Sequence, residues 1–158
     1  VYLQCFDANE LKRINSELMP AMGMDLKLVQ LMAETDWNET MVYDAKGKAT
    51  PYDYDWMFKP GAMKTIATYA EGIGPWKPMV VTEPGTPGKP VFTGMVKEAH
   101  AAGLKVHPYT FRQDEGQIPA YAKDFTDLLN IFLYQAGVDG VFSDFPDKAV
   151  EAIKAHGK

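Results

Sequence analysis

Four short apolar segments carry the side chains able to do chemistry. In Lys105-Val106-His107-Pro108-Tyr109-Thr110-Phe111-Arg112, alternation along a strand sets His107, Tyr109 and Phe111 on one face. Arg112 closes the segment, where a guanidinium can meet a phosphate through parallel N–H groups. A lone His in a strand serves either as a base or as a structural imidazole. In Ser143-Asp144-Phe145-Pro146, Asp144 stands at the mouth of the last apolar run. It orients a ligand or a partner side chain there, or it caps the helix that Pro146 opens. Gln4 and Gln30 interrupt two otherwise apolar strands. An amide donates and accepts, so it suits hydroxyl or phosphoryl oxygens. A buried Gln satisfied by backbone or water accounts for it equally well.

Other patterns carry less. Asp44, Asp53 and Asp55 lack the spacing of a calcium loop. His100, His107 and His156 have no metal-ligand spacing to one another. No GxSxG elbow, Walker A loop or HExxH occurs. Cys5 is the single cysteine, so it forms no intrachain disulfide and reads as a small hydrophobe within a strand. No self-sufficient nucleophile–base pair emerges, and no metal ligands are expected in this chain.

The elements that must position these residues alternate. Strand-like Val1 to Phe6 leads into a helix that Asp7 caps, with Glu10 placed to complete a capping box. Pro20 and Gly23 end that helix, and Leu26 to Met32 reads as the second strand. Residues 33–59 break the rhythm. They hold Trp37, Tyr43, Tyr52, Tyr54, Trp56 and Phe58 among Asp, Asn, Gly and Pro, and they predict a long irregular loop folded back on the body. A helix from about Pro60 to Ala70, a weak strand at Glu71 to Pro75, and a helix from Thr93 to Ala102 follow. A strand at Leu104 to Phe111, a helix over 121–136, a strand at Gly140 to Phe145 and a final helix to about His156 complete the series. The order β-α-β-loop-α-β-α-β-α-β-α predicts an α/β fold with parallel strands. One domain over 1–158 is expected. About five βα units are too few for a complete eight-unit barrel, and ligands in such folds sit at the C-terminal strand ends.

Composition narrows the classes. The 158 residues are 46% hydrophobic and 23% charged, with a net charge of −5. Scattered basic residues give no footprint for nucleic acid. No apolar run reaches the roughly 18 residues of a membrane span.

A longer ordered series then becomes specific. It runs Val1-Tyr2-Leu3-Gln4-Cys5-Phe6-Asp7, Val29-Gln30-Leu31 and Tyr54-Asp55-Trp56-Met57-Phe58-Lys59-Pro60-Gly61-Ala62-Met63-Lys64. It continues with Gly72-Ile73-Gly74-Pro75, His107-Pro108-Tyr109-Thr110 and Gly137-Val138-Asp139-Gly140-Val141-Phe142-Ser143-Asp144-Phe145-Pro146. In content and order it resembles the C-terminal portion of the periplasmic bacterial glycerophosphodiester phosphodiesterases. The resemblance implies a partial (β/α)8 TIM-type barrel, comprising strands four to eight. It implies hydrolysis of glycerophosphodiesters to an alcohol and sn-glycerol 3-phosphate, with calcium or magnesium as cofactor.

The family's catalytic histidines and metal-binding carboxylates lie on its first three strands, in HRG, ExD, HD and EIK-type motifs. None of these occurs here. The resemblance therefore places the catalytic residues and metal ligands upstream of Val1, and implies that this chain alone is inactive. What carries over is the pocket wall: Gln4, Tyr109, Phe142 and Asp144 line the glycerol and phosphate site, joined by Gln30 and Arg112 from the reading of the strands. A small-molecule diester is the expected partner, and the periplasm the expected compartment. The open edges of a cut barrel predict self-association. The competing reading is a non-catalytic module that binds glycerol or sugar head groups, or a host protein.

Overall fold

Six strands occur among the described residues: β1 (Tyr2–Cys5), β2 (Lys27–Leu31), β3 (Met41–Tyr43), β4 (Ala49–Pro51), β5 (Gly72–Gly74) and β6 (Lys105–Val106). The structure, a computed structural model, describes residues 1–157. It organises as two compact units: Val1–Gly74 with Ala99–Lys105, and Pro75–Glu98 with the residues from Val106 onward. No helix among the described residues is long and apolar enough to cross a membrane.

In the first unit β1, β2 and β5 pair in parallel in that spatial order, with Gln4 opposite Val29 and Gln30 opposite Ile73. Lys105, the first residue of β6, continues the sheet by donating its N–H to the Glu71 carbonyl at 2.9 Å. Leu28, Val29 and Gln30 of β2 are all fully buried. That is the near-continuous burial of a parallel strand covered on both faces.

Asp7 caps α1 (Ala8–Arg13) as expected, accepting from the N–H groups of Asn9 at 2.8 Å and Glu10 at 3.1 Å. The reciprocal half of the box does not form. Glu10 instead holds Arg13 at 2.7 Å on the exposed face, and the Asp7 N–H approaches Cys5 Sγ at 3.4 Å. Asp7→Ala is therefore expected to destabilise the protein by about 1 kcal/mol, with Asp7→Asn retaining most of that, as read by chemical denaturation. The helix runs on through a π turn, Ile14–Leu18, into α2 (Met19–Met22) and ends at Gly23, φ 60°. Pro20 lies inside this run. It has no N–H to return to Ser16, and the wide turn before it absorbs the break.

The 33–59 segment contains more regular structure than its sequence predicts. β3 and β4 form an antiparallel hairpin. Its turn is held by Asp44 Oδ1, which accepts from Lys46 N at 2.8 Å and Lys48 N at 2.9 Å, with Gly47 at φ 78°. The segment does fold back on its unit. Tyr54 is 1% exposed, and its hydroxyl lies 2.8 Å from Thr40 Oγ1 and 3.2 Å from the Phe6 carbonyl. The Lys12 ammonium sits 5.8 Å from the Trp56 ring centroid and 5.2 Å from that of Tyr69. α3 (Ala62–Ile66) follows and is shorter than expected.

In the second unit the expected strands thin to single parallel bridges, Trp76 with Tyr109 and Phe111 with Ser143. Pro108 cannot donate to a ladder, but its carbonyl accepts from Phe142 N at 2.9 Å, and Phe111 N reaches the Phe142 carbonyl at 2.8 Å. The direction of pairing thus survives where continuous strands do not. α4 (Met95–Ala101) precedes β6. α5 (Phe125–Asn130) extends through a π turn to Gly137, and α6 (Pro146–Ala155) closes the described chain. Phe111, Tyr121, Leu128, Leu129 and Phe132 are fully buried in the core of this unit.

Candidate functional site

The C-terminal end of β2 leads into Glu34, Thr35 and Asp36. Thr35 Oγ1 donates to Asp55 Oδ1 at 2.9 Å and accepts from Tyr54 N at 2.9 Å, which ties the two ends of the insertion together. Between them opens a cleft of about 600 Å³ lined by Glu34, Thr35, Asp36, Pro51, Asp55 and Phe58. Its wall is acidic with one aromatic ring, a surface suited to a cationic or polar alcohol group.

Of the predicted site residues in this unit, Gln4 is exposed on β1 and its amide is available to a ligand. Gln30 is not. It is fully buried, and its Nε2 donates to the carbonyls of Leu31 at 2.8 Å and Phe6 at 2.9 Å. Its Oε1 accepts from the Tyr69 hydroxyl at 3.0 Å. Burial pushes the Tyr69 phenol up, so that donor stays protonated. Gln30 is thus the satisfied structural amide, stitching β1 to β2.

The second unit brings together several of the others. Tyr109 accepts from Lys77 N at 3.1 Å through its carbonyl and donates its own N–H to the Pro75 carbonyl at 3.0 Å, which leaves its half-buried ring beside that bridge. Phe142 stands edge-on to His107, with centroids 6.4 Å apart. Arg112 Nε donates to Asp114 Oδ2 at 2.9 Å and lies 3.4 Å from Asp144 Oδ2. These are exposed pairs that fix geometry more than they stabilise.

Asp144 is therefore the partner of Arg112. It is not the cap of α6, whose N-cap position falls on Phe145 with no side-chain capping bond. Ser143 Oγ instead accepts from Phe145 N at 3.0 Å. The residue that sequence reasoning passed over is Lys77. It is 6% exposed and lies just beyond the end of β5, its ammonium 5.6 Å from the Phe111 ring centroid. Burial draws its pKa down, with Glu83 restoring part and Arg112 adding to the drop. Its position just past a strand end was the available signal.

Among the described residues no group of three or more His, Cys, Asp and Glu side chains is arranged to hold a metal ion. The donors present do not fit a resident divalent cation.

Parallel strands with intervening helices, and charged side chains gathered where strands end, define an α/β protein of the partial-barrel class. The model of the Glycerophosphoryl diester phosphodiesterase family matches residues 1–148, and the chain belongs to that family. It is 52% identical over 155 residues to a glycerophosphodiester phosphodiesterase of Haemophilus influenzae, covering 98% of this chain and 42% of that protein. A glycerophosphodiester phosphodiesterase of Treponema pallidum is 41% identical over 154 residues, covering 97% and 43%. The chain thus spans less than half the length of the relatives it matches. A solved chain from Silicibacter pomeroyi, designated a glycerophosphoryl diester phosphodiesterase, superposes with a TM-score of 0.55 at 22% identity, covering 99% of this chain and 38% of that one. That likeness supports the partial (β/α)8 barrel.

Proposed function

We propose that the whole protein hydrolyses glycerophosphodiesters to an alcohol and sn-glycerol 3-phosphate, and that this chain supplies one wall of the pocket. The observation that carries the reading is the 52% identity to a glycerophosphodiester phosphodiesterase across 98% of the chain. Water attacks phosphorus, or the substrate's own glycerol hydroxyl does so first and water then opens the cyclic phosphate; the P–O bond to the alcohol breaks, and acid–base side chains outside this chain take the attacker's proton and give one to the departing alkoxide. Arg112 presents N–H donors to the phosphoryl oxygens while Asp114 and Asp144 hold its Nε edge. Tyr109, Phe142 and Gln4 shape the glycerol side. Calcium or magnesium is the proposed cofactor, with its ligands elsewhere in the protein, and the periplasm is the proposed compartment. The diester is the proposed small-molecule partner.

Glycerophosphocholine turnover with added calcium tests the reading. The whole protein should release choline and sn-glycerol 3-phosphate, whereas residues 1–158 alone should release neither. No turnover by the whole protein would leave only the binding-module reading.

A further inference from the structure

The cleft at the C-terminal end of β2 is built from both ends of the 33–59 insertion. Glu34, Thr35 and Asp36 follow the strand, and Pro51, Asp55 and Phe58 return to meet them around about 600 Å³. That volume lies in the range of small-molecule sites. Parallel α/β folds bind ligands at this end of their strands.

The frame of the cleft is fixed. Thr35 bonds to both Asp55 Oδ1 and Tyr54 N at 2.9 Å. Just past Pro51, Tyr52 N donates to the Thr40 carbonyl at 2.8 Å. Tyr54 and Met57 are buried and anchor the turn Asp55–Phe58 to its unit. Phe58 ends that turn with its ring 45% exposed. An aromatic ring left in water on an anchored turn forgoes the burial that its neighbours gain.

The charge of the wall is one-sided. No Lys, Arg or His pairs with Glu34, Asp36 or Asp55 among the described residues. Three carboxylates without a counter-charge favour a cation from outside the chain. They do not converge on one point, since no group of His, Cys, Asp and Glu among the described residues is arranged to hold a metal ion. A compact metal ion is therefore a poor match. An ammonium whose charge is spread over its carbon substituents suits dispersed carboxylates, and an aromatic face attracts it through the ring quadrupole.

We propose that this cleft is the subsite for the departing alcohol, and that it takes the ammonium end of a cationic amino alcohol such as choline or ethanolamine. Glu34 and Asp36 supply the charge, and Phe58 supplies the ring face. This rests on the proposed phosphodiesterase reading and gives its alcohol a place. The rival account is a solvated acidic face beside an incidental ring.

Turnover of glycerophosphocholine, glycerophosphoethanolamine and glycerophosphoglycerol by the whole protein separates the two, because the last of these carries a neutral alcohol. In the Glu34→Gln/Asp36→Asn variant, kcat/KM for each cationic diester relative to glycerophosphoglycerol should fall about fivefold, with the loss in KM. Phe58→Leu should lower the glycerophosphocholine ratio about threefold. All three side chains are exposed, so both variants should melt with the parent. Choline itself, titrated calorimetrically into the whole protein, should bind both variants more weakly. Unchanged ratios in both variants, whether turnover is kept or lost equally on every diester, overturn the assignment. A parent that hydrolyses no diester sinks the phosphodiesterase reading. In that case choline binding that weakens in both variants keeps the ammonium site, and choline binding that is absent or indifferent to them removes it as well.

Discussion

Replacing Gln30 by Leu is expected to destabilise the protein by about 3 kcal/mol, lowering its melting temperature by roughly 6–12 °C for a domain of this size. The side chains are close in volume, so little of the loss comes from packing. It comes from partners left behind. The Phe6 and Leu31 carbonyls lose a donor, and the Tyr69 hydroxyl, itself on a residue only 5% exposed, loses its acceptor. Each buried group left unmatched costs about 1–3 kcal/mol. Tyr69→Phe removes one of these bonds only and should cost about 1 kcal/mol, and the double variant should fall short of the sum because the two share that bond. Thermal and denaturant unfolding of the three variants measures this. A Gln30→Leu protein as stable as the parent, with a raised KM for glycerophosphocholine, would return Gln30 to the pocket wall.

The contrast between Gln30 and Lys77 shows what the sequence could reveal. Strand alternation located Gln30 on an apolar strand but could not show Tyr69 approaching from 39 residues away. Capping chemistry is local, so Asp7 was legible. Its failed half was not, because Arg13 competes for Glu10 one turn on. The hairpin at Met41–Pro51 escaped notice because both strands are largely exposed. With no buried face there is no apolar alternation to read. For Asp144 the sequence left a cap and a partner for another side chain both open, and Pro146 at the first helical position gives the cap place to Phe145. Lys77 lies in Trp76-Lys77-Pro78, just after the weak strand at Glu71 to Pro75. Its ammonium lies 5.6 Å from the ring centroid of Phe111, which is remote in sequence. The order of elements and the strand ends were therefore visible in the chain, whereas the contacts between residues remote in sequence were not.

Phe111 joins the core to the candidate site, and Phe111→Ala is expected to have the largest effect, about 3–5 kcal/mol of stability. The ring is fully buried and meets Phe132 edge-on at 4.9 Å between centroids. Its main chain is equally engaged: N–H to the Phe142 carbonyl at 2.8 Å, and carbonyl to Asp144 N at 3.2 Å and Ser143 Oγ at 3.2 Å. Because side chains alternate, burying Phe111 turns Arg112 outward. The Asp144 N–H bond to the Phe111 carbonyl then brings the Asp144 carboxylate within 3.4 Å of Arg112 Nε. The same ring lies beneath the Lys77 ammonium. Phe111 thus adjoins three charged residues through its ring and its main chain. Phe111→Leu keeps most of the volume and should cost less than about 1.5 kcal/mol, while removing the aromatic face under Lys77. Chemical denaturation of both variants measures this. A cost below about 1 kcal/mol for Phe111→Ala would mean that this unit's core is not organised around the ring.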